Sequence, residues 1–478
     1  MIHRGLLRLI AGLCLLTAPI AALTAYAEPT TAEQEESTSS ITNSQTEGTE
    51  KQEEKPTVDS QGRPILADGE TGILIEQKSG AVLYESSSTK RMYPASTTKV
   101  MTCLLAVEAI DRGEISLEEP VTITAQMLEG LDPDGSNMAL KADEVLTFQQ
   151  LLWGLMIPSG NDAAMAIAYR LAGSPEAFAE KMNARAAELG LSDTHFANPH
   201  GLHDENHYTT AADMAKIARA GMDSDVFRNI VDIAHIKIPP TNKTEKERYY
   251  INTNGLISTM RYLDYAYKGA TGIKTGRTTE AGNCLVSSAK RNGMELIAVL
   301  FNGKDVTASH KDSIRMLDYG FENYETLRGV SQGELLGESK VKYGASKDTV
   351  TLAAAENVSV VVPKGTEKSE LEIQLNLPET LYAPLSEGQT VASVTVLHNG
   401  QELGSGNLVT IVAVERSFFG PAMALGDWLW SFLLIRILAY GILAVVGIVI
   451  LLFLYRIWQE FKRAKRRKKS RNLPRGRR

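Results

Sequence analysis

The sequence predicts an α+β protein that continues into a separate all-β module, and three patterns support this prediction. From residue 96 to about residue 220, apolar residues recur at helical spacing. After residue 271, short strand-like runs return, and an Asn-Gly turn at 292–293 predicts a hairpin between two of them. From about 329 to 414, only short alternating runs occur, separated by Pro, Gly and Asn. Helices and strands therefore occupy different stretches of the chain, as in α+β proteins.

The first 56 residues are predicted to precede the folded part. Residues 1–27 have a basic start, an apolar middle and a small-residue exit, which is typical of a cleavable secretory signal. Residues 28–56 are rich in Thr, Ser, Glu and Gln, and they are predicted to be a disordered spacer. Without the signal, Cys103 and Cys284 remain, too few and too far apart to suggest a disulfide framework. Both are interpreted as small buried hydrophobic residues.

Four Ser-x-x-Lys patterns occur in the sequence, and their context separates them. Ser287 and Ser339 lie in strand-like runs, where residues three apart point to opposite faces, and Ser87 lies in a Ser-rich turn. Ser96 opens an apolar run with helical spacing, so Lys99 lies one turn further along and could act as its base. Taken alone, Ser96 could equally be a helix-capping serine beside a surface lysine.

A Ser-Gly-Asn motif at 159–161 follows one apolar helical run and precedes an alanine-rich one. It is therefore predicted to lie on a loop between two helices. Ser159 could relay a proton between a leaving group and a lysine, and Asn161 offers an amide to a substrate backbone. The same triplet at 405–407 lies among strand runs without a nucleophile candidate, and it is interpreted as a turn.

A Lys-Thr-Gly triplet at 274–276 is predicted to end a strand, and it occurs once in the sequence. Lys274 and Thr275 supply a cation and a hydroxyl, a pair suited to a carboxylate. Gly276 would let a substrate lie close against the strand, because it carries no side chain. Together with the Ser-Gly-Asn motif, this triplet makes Ser96 a strong candidate nucleophile.

These motifs, in this order and on helix, loop and strand, resemble those of the low-molecular-mass penicillin-binding proteins, the serine-type D-Ala-D-Ala carboxypeptidases of peptidase family S11. The resemblance extends to YPASTTKVMT at 93–102, HFANPHGL at 195–202, YTTAADM at 208–214 and GIKTG at 272–276. It covers residues 57–328 closely, and the rest of the chain matches the family's layout more loosely.

The resemblance implies a β-lactamase/DD-peptidase-like catalytic domain over residues 57–328, in which an antiparallel sheet flanked by helices faces a helical lobe. It implies that Ser96 attacks the carbonyl between the two terminal D-alanines of a peptidoglycan stem peptide, with Lys99 as base. Water would then hydrolyse the acyl-enzyme. The positive charge of Lys274 would help to keep Lys99 neutral by like-charge repulsion.

The remaining roles that the resemblance implies are distributed over the other motifs. Ser159 would pass a proton to the departing D-alanine, and Asn161 would hold the peptide. Lys274 and Thr275 would bind the terminal carboxylate. The backbone amides of the nucleophile and of Arg277 would form the oxyanion hole. Peptidoglycan stem peptides are the expected substrates, and β-lactam antibiotics the expected covalent inhibitors.

Residues 329–415 are assigned to an all-β C-terminal domain without a catalytic constellation, which is interpreted as a spacer or docking module. Residues 430–455 are predicted to form a transmembrane helix, because an uncharged apolar run there is long enough to span a bilayer. Residues 456–478 hold twelve Lys/Arg and one Glu, so the positive-inside tendency places this tail in the cytoplasm. The sequence therefore predicts a single-pass bacterial membrane protein with an extracytoplasmic catalytic domain.

Composition and charge exclude other classes. The tail contributes +11 to a formal charge of −7, so the remainder of the chain carries −18, which argues against a nucleic-acid function. The eight histidines show no metal-type spacing, and the cluster at 195–207 is interpreted as structural; neither a metal nor a cofactor is predicted.

Two departures from the family and two alternative functions accompany this assignment. Some relatives carry an arginine before Asn-Gly upstream of the Lys-Thr-Gly strand, whereas Thr253 stands there in this chain, so carboxylate binding would depend more on Lys274 and Thr275. Many relatives have an amphipathic anchor in place of a true span. The alternatives are a β-lactamase and a non-catalytic receptor for β-lactams or cell wall.

Overall fold

The computed structural model of the chain describes residues 57–471, with gaps at 133–134, 259 and 261–262. The predicted signal at 1–27 and the predicted spacer at 28–56 lie outside the described residues, as does the end of the basic tail.

An antiparallel sheet forms one side of the first part of the structure. The strands of this part are β1 (Thr71–Glu76), β2 (Val82–Ser86), β3 (Pro120–Thr122), β4 (Val145–Thr147), β5 (His235–Ile238), β6 (Arg248–Ile251), β7 (Ala270–Thr278), β8 (Gly282–Arg291) and β9 (Met294–Gly303). The sheet has the order β2-β1-β9-β8-β7, and all its neighbours are antiparallel. Because β7 ends this order, its outer edge has no strand partner among the described residues, and it can accept a ligand.

The predicted Asn-Gly hairpin is confirmed between β8 and β9. Asn292 has a φ of 50° and Gly293 a φ of 85°. Two positive φ angles in succession are what a two-residue hairpin of this hand requires, and Asn and Gly tolerate them best. The shorter pairs β3–β4 and β5–β6 lie outside the main sheet.

Helices fill the rest of this part, and several begin at a side-chain cap. The helices are α1 (Lys99–Asp111), α2 (Phe148–Met156), α3 (Asn161–Ala172), α4 (Pro175–Glu188), α5 (Ala211–Gly221), α6 (Asp225–Val231) and α7 (Val306–Asn323). Thr147 and Gln150 form a capping box on α2, and Ser174 caps α4 just before its first-turn proline. Thr210 caps α5 in the same way. These caps fix where the helices begin.

Helix α1 lies at the centre of the core. Val100, Met101, Cys103 and Leu104 are buried, and so are Ala106, Val107 and Ala109 further along the helix. A helix that is apolar on nearly every side belongs inside a protein rather than on its surface. The helix that carries Lys99 is therefore held firmly, and the predicted burial of Cys103 is confirmed.

The second part of the structure consists of strands. They are β10 (Tyr324–Val330), β11 (Leu335–Lys342), β12 (Thr349–Ala354), β13 (Val358–Pro363), β14 (Leu371–Asn376), β15 (Leu381–Tyr382), β16 (Thr390–His398) and β17 (Gln401–Thr410). One sheet has the order β14-β16-β17-β12-β11-β15, and β10 pairs with β13. Alternating Val and Leu side chains from these strands form their own apolar core.

Two helices end the described chain, α8 (Gly420–Trp430) and α9 (Leu433–Arg471). Within α9, the segment Ile435–Lys465 is long and apolar enough to cross a membrane. The side chain of Asp427 on α8 accepts a hydrogen bond from the Tyr343 hydroxyl at 2.8 Å. The predicted fold class is confirmed: an α+β domain precedes an all-β domain and a C-terminal apolar helix.

Candidate active site

Ser96 lies in a 3₁₀ turn, Ala95–Thr98, that leads directly into α1. The prediction that Ser96 opens the α-helix is therefore wrong by one turn. The difference arises because the hydroxyl of Thr97 donates to the Pro94 carbonyl at 2.6 Å, which favours the tighter turn. Residues three apart are also aligned in a 3₁₀ turn, so the Lys99 Nζ still lies 3.0 Å from the Ser96 Oγ.

The Lys99 amine is fully buried and makes three hydrogen bonds. Besides Ser96, its Nζ donates to the Asn161 Oδ1 and to the His200 backbone carbonyl, each at 2.7 Å. Burial holds the pKa of Lys99 well below its usual range, and the nearby positive charge of Lys274 lowers it further. The Asp162 carboxylate acts in the opposite direction. The predicted effect of Lys274 is thus present, but desolvation is the larger cause.

The loop at 195–202 packs against the turn Ala95–Thr98, which carries the predicted nucleophile Ser96 and is called the nucleophile turn below. The Thr102 hydroxyl donates to the Pro199 carbonyl at 2.6 Å, which fixes the loop to α1. Gly201 has a φ of 87°, and a Cβ there would collide with the Ala95 carbonyl, so this close approach requires glycine. The loop thereby presents the His200 carbonyl to Lys99.

Two histidines of this region, His200 and His207, lie close to the nucleophile turn. The ring of His207 forms a 2.7 Å hydrogen bond with the Thr98 hydroxyl and accepts another from the Ala197 backbone amide. Burial lowers the pKa of His207 to about 4 and that of His200 to about 3. Both rings are therefore neutral at pH 7 and add no charge beside the nucleophile.

The Ser-Gly-Asn motif lies between α2 and α3, on the predicted loop. Ser159 has a left-handed φ of 68°, and its hydroxyl is buried without a hydrogen-bond partner among the described residues. Asn161 begins α3, and its backbone amide donates to the Ser136 carbonyl at 2.7 Å. A strained serine with an unused hydroxyl is a group held ready for a ligand.

The Lys-Thr-Gly triplet lies in the middle of β7, not at its end as predicted, because the strand pairs with β8 over a longer stretch than the apolar pattern suggests. The Lys274 side chain is 1% exposed. The Thr275 hydroxyl donates to the Thr253 hydroxyl at 2.6 Å. A Cβ on Gly276 would lie 2.9 Å from the backbone nitrogens of Ser96 and Thr97, so this glycine lets β7 contact the nucleophile turn.

These elements enclose one cleft of about 530 Å³. Its lining includes the predicted residues Ser96, Ser159, Asn161, Thr275, Gly276 and Arg277, while Lys99 and Lys274 lie buried beneath it. The Ser96 hydroxyl with the low-pKa amine of Lys99, the Ser159 hydroxyl and the buried amine of Lys274 therefore lie around the same cleft. Such an arrangement suits nucleophilic attack on a carbonyl.

The geometry agrees with comparisons to known proteins. The model of the D-alanyl-D-alanine carboxypeptidase family, peptidase family S11, matches residues 57–305. The chain belongs to this carboxypeptidase family. Residues 324–416 match a second model, that of the penicillin-binding protein 5 C-terminal domain. The family resemblance predicted from the sequence is confirmed.

Individual relatives of the carboxypeptidase family extend over most of the chain. D-alanyl-D-alanine carboxypeptidase DacF of Bacillus subtilis is 32% identical over 366 residues, which are 76% of this chain and 91% of the relative. DacA of Haemophilus influenzae is 33% identical and covers 77% of this chain and 90% of the relative. A solved structure of penicillin-binding protein 5 from the same organism is also similar, with a TM-score of 0.61 and 33% identity. The match covers 72% of this chain and 97% of the chain in that structure.

Three contributors to this carboxypeptidase site escaped the analysis of the sequence. The His200 carbonyl binds Lys99, and Ser136 lines the cleft. The buried Asp162 carboxylate accepts hydrogen bonds from the backbone amides of Met138 and Leu140, each at 3.0 Å. Asp162 directly follows the Ser-Gly-Asn motif, and this position in the sequence could have marked it as part of the site. The contributions of His200 and Ser136 depend on tertiary contacts that no sequence pattern reports.

Proposed function

We propose that this carboxypeptidase removes the terminal D-alanine from peptidoglycan stem pentapeptides through an acyl-enzyme on Ser96. One observation carries the proposal: the buried Lys99 amine has two partners that can only accept hydrogen bonds, and its third direction points at the Ser96 hydroxyl. In the neutral amine, the two N–H groups occupy the Asn161 and His200 oxygens. The lone pair then faces Ser96 and can take its proton.

Acylation follows from this arrangement. As the Ser96 Oγ attacks the carbonyl between the two D-alanines, its proton moves to the Lys99 Nζ. The backbone amides of Ser96 and Arg277 would stabilise the oxyanion. Support for this pair comes from the Gly276 contact, which brings the β7 backbone against the nucleophile turn.

Departure of D-alanine requires a proton on its nitrogen. The Ser159 hydroxyl lines the same cleft and has no hydrogen-bond partner among the described residues, so it can pass a proton from Lys99 to the leaving amine. Asn161, whose Oδ1 orients Lys99, also lines the cleft and could bind the peptide with its amide nitrogen. Water then hydrolyses the ester, and Ser96 is restored.

Recognition of the terminal carboxylate is assigned to Lys274 and Thr275. The Lys274 Nζ donates to the Thr275 backbone carbonyl at 3.1 Å, which keeps its charge beneath the strand. The Thr275 hydroxyl lies at the cleft surface and donates a hydrogen bond to Thr253; rotation of this hydroxyl can turn the same proton to a carboxylate instead. A β-lactam also carries a carboxylate next to a reactive carbonyl, so the same groups would direct it to Ser96 as a covalent inhibitor.

The cellular location is proposed to be the bacterial cytoplasmic membrane, with α9 as a single span. The uncharged part of this helix ends at residue 455 and leads into the basic tail at 456–478, which favours a cytoplasmic C-terminus. The catalytic domain would then face the cell wall, where its substrate is found.

The experiment that tests the function uses the Ser96→Ala variant of the full chain and measures D-alanine release from a D-Ala-D-Ala pentapeptide. Release should fall by about 10⁴-fold or more, because the acyl-enzyme cannot form. The matched control is Ser339→Ala, which removes the serine of a second Ser-x-x-Lys pattern in β11 and should leave release unchanged. Undiminished release by Ser96→Ala would overturn the proposal.

A β-lactamase is separated from a carboxypeptidase by the lifetime of the penicillin adduct. We expect the wild-type protein to remain acylated for minutes after mixing with a fluorescent penicillin. Rapid multiple turnover of the antibiotic would favour the β-lactamase. Absence of both acylation and release would favour a non-catalytic wall-binding protein.

A further inference from the structure

The side chain of Arg277 occupies a distinctive position in the cleft. The pairing of β7 with β8 is regular from Gly272 onward, so side chains two residues apart on β7 share a face. Arg277 therefore points to the same side as Thr275, and both line the cleft. Their Cα atoms are about 7 Å apart along the strand. Unlike the buried Lys274, Arg277 is exposed.

The cleft surface has one permanent positive charge, that of Arg277, among the described residues that line it. His310 also lines the cleft, but burial lowers its pKa, and its two ring nitrogens already bond the Val306 carbonyl and the Gly255 amide. No Asp or Glu appears among these described lining residues. The described structure gives the Arg277 guanidinium neither a hydrogen bond nor an ion pair, so its charge is available to a ligand.

Thr253 makes this availability significant. Its hydroxyl lines the cleft beside Thr275 and accepts a hydrogen bond from it. A neutral hydroxyl cannot balance the charge of a carboxylate. Lys274 can contribute as a point charge from below, yet one of its protons already goes to a backbone carbonyl.

We propose that the Arg277 guanidinium binds the C-terminal carboxylate of the substrate, together with the Thr275 hydroxyl, and so makes the cleft selective for peptides with a free C-terminus. This inference rests on the proposed carboxypeptidase function. A guanidinium offers two parallel N–H donors to a carboxylate, which gives orientation as well as attraction. The peptide would lie along the open edge of β7, with its reactive carbonyl at the nucleophile turn beside Gly276 and its terminus toward Arg277.

The test compares two substrates of the full-length protein: an acyl-D-Ala-D-Ala peptide and the same peptide with a C-terminal carboxamide. In Arg277→Gln, kcat/KM for the free acid should fall about 10- to 100-fold, mainly through KM, because a charge-assisted hydrogen bond is lost. The kcat/KM for the carboxamide should stay within about twofold of wild type. Arg277→Lys should recover part of the preference for the acid, since it keeps the charge but not the paired donors.

The matched control is Lys290→Gln, which removes an exposed positive charge from the same sheet on β8, away from the residues that line the cleft. It should leave the ratio of the two kcat/KM values unchanged. The inference is overturned if Arg277→Gln keeps the wild-type ratio of the two kcat/KM values. If that ratio is kept because kcat/KM falls equally for both substrates, the result points to a defect in catalytic geometry. Failure of wild-type protein to hydrolyse either peptide would instead overturn the carboxypeptidase function, so the two failures are distinguishable.

Discussion

The interior of the catalytic centre and the interior of the all-β domain differ in the side chains that they bury. Beneath the cleft lie two lysines, Lys99 and Lys274, and the carboxylate of Asp162. In the all-β domain, the buried polar side chains among the described residues are uncharged: Ser339, Thr395 and Thr410. The remainder of that core is apolar, with valine the most frequent residue.

This difference separates chemistry from stability. Moving an ion from water into a protein interior costs several kcal/mol, so the buried lysines lower the stability of the catalytic domain. The same desolvation lowers the pKa of Lys99 and so favours the neutral amine that the proposed base requires. The all-β domain has no such groups, and burial of its valines and leucines contributes only stability. Substitutions of the charged groups beneath the cleft should therefore lower activity more than stability, whereas substitutions in the all-β core should lower stability more than activity.

Among substitutions of buried side chains, the largest effect on activity is expected for Lys99→Met. The variant keeps the apolar stem but has no base, so acylation by a fluorescent penicillin should slow by about 10²–10⁴-fold. The Asn161 amide oxygen and the His200 carbonyl lose their donor, which lowers stability. The protein should nevertheless remain folded, because the polar amine that opposed burial is also gone. Stopped-flow measurement of the acylation rate checks the expected loss of activity, and thermal unfolding checks that the protein remains folded. Lys342→Met, in the Ser-x-x-Lys pattern of β11, is the matched control and should acylate normally.

Gly276→Ala tests the contact between β7 and the nucleophile turn. The added methyl would lie 2.9 Å from two backbone nitrogens that cannot move independently, so β7 should shift away from Ser96. We expect acylation to slow about tenfold or more and stability to fall by about 1–3 kcal/mol.

The comparison variant for that prediction is Gly404→Ala in β17. Its methyl would meet a side-chain carbon of Val360 at 3.2 Å, and a side chain can yield more easily than backbone. Acylation by Gly404→Ala should equal that of the wild type. Equal acylation by Gly276→Ala would show that the close approach of the strand is dispensable.

Lys274→Gln should change the pH dependence of acylation. Lys274 lowers the pKa of Lys99, so its removal raises that pKa, and less Lys99 is neutral at a given pH. The acid limb of the profile, on which the rate rises as Lys99 loses its proton, should therefore shift to higher pH. Acylation rates from pH 5 to 10 measure the shift, with Lys290→Gln as the control. A shift to lower pH would contradict the assigned repulsion.

The smallest effect on activity is expected for Leu352→Ala in the all-β core, where the side chain is fully buried. The cavity should lower the free energy of unfolding by about 2–5 kcal/mol, while kcat at 25 °C stays unchanged. Leu104→Ala removes the same volume from α1 and should lower stability and activity together, since α1 carries Lys99. Denaturant unfolding and D-alanine release distinguish the two. A loss of kcat in Leu352→Ala would show that the domains are coupled in catalysis.

Local features were predictable from the sequence because they depend on neighbouring residues. The Asn292-Gly293 turn follows from two residues that tolerate positive φ. Ser96 and Lys99 contact each other because three residues span one helical turn, whether 3₁₀ or α. The three motifs and their order also indicated the carboxypeptidase family, which the comparisons confirm.

Boundaries were less predictable, because tertiary pairing extends elements beyond their apolar patterns. Strand β7 continues past the Lys-Thr-Gly triplet, since β8 supplies hydrogen bonds to polar residues as readily as to apolar ones. The start of α1 is delayed by threonine hydroxyls that bond the preceding carbonyls. Neither effect is visible in hydrophobic periodicity.

The sequence by itself thus determined which groups are the candidates for the proposed chemistry: a serine, a lysine and their companions in three short motifs. The tertiary structure alone decided the state of those groups. Lys99 loses its solvent on all sides and meets the His200 carbonyl from 101 positions away, while Gly276 brings a distant strand against Ser96. A pKa and a binding charge depend on solvent exposure and on neighbours in space, and residues far apart in the sequence become neighbours only when the chain folds.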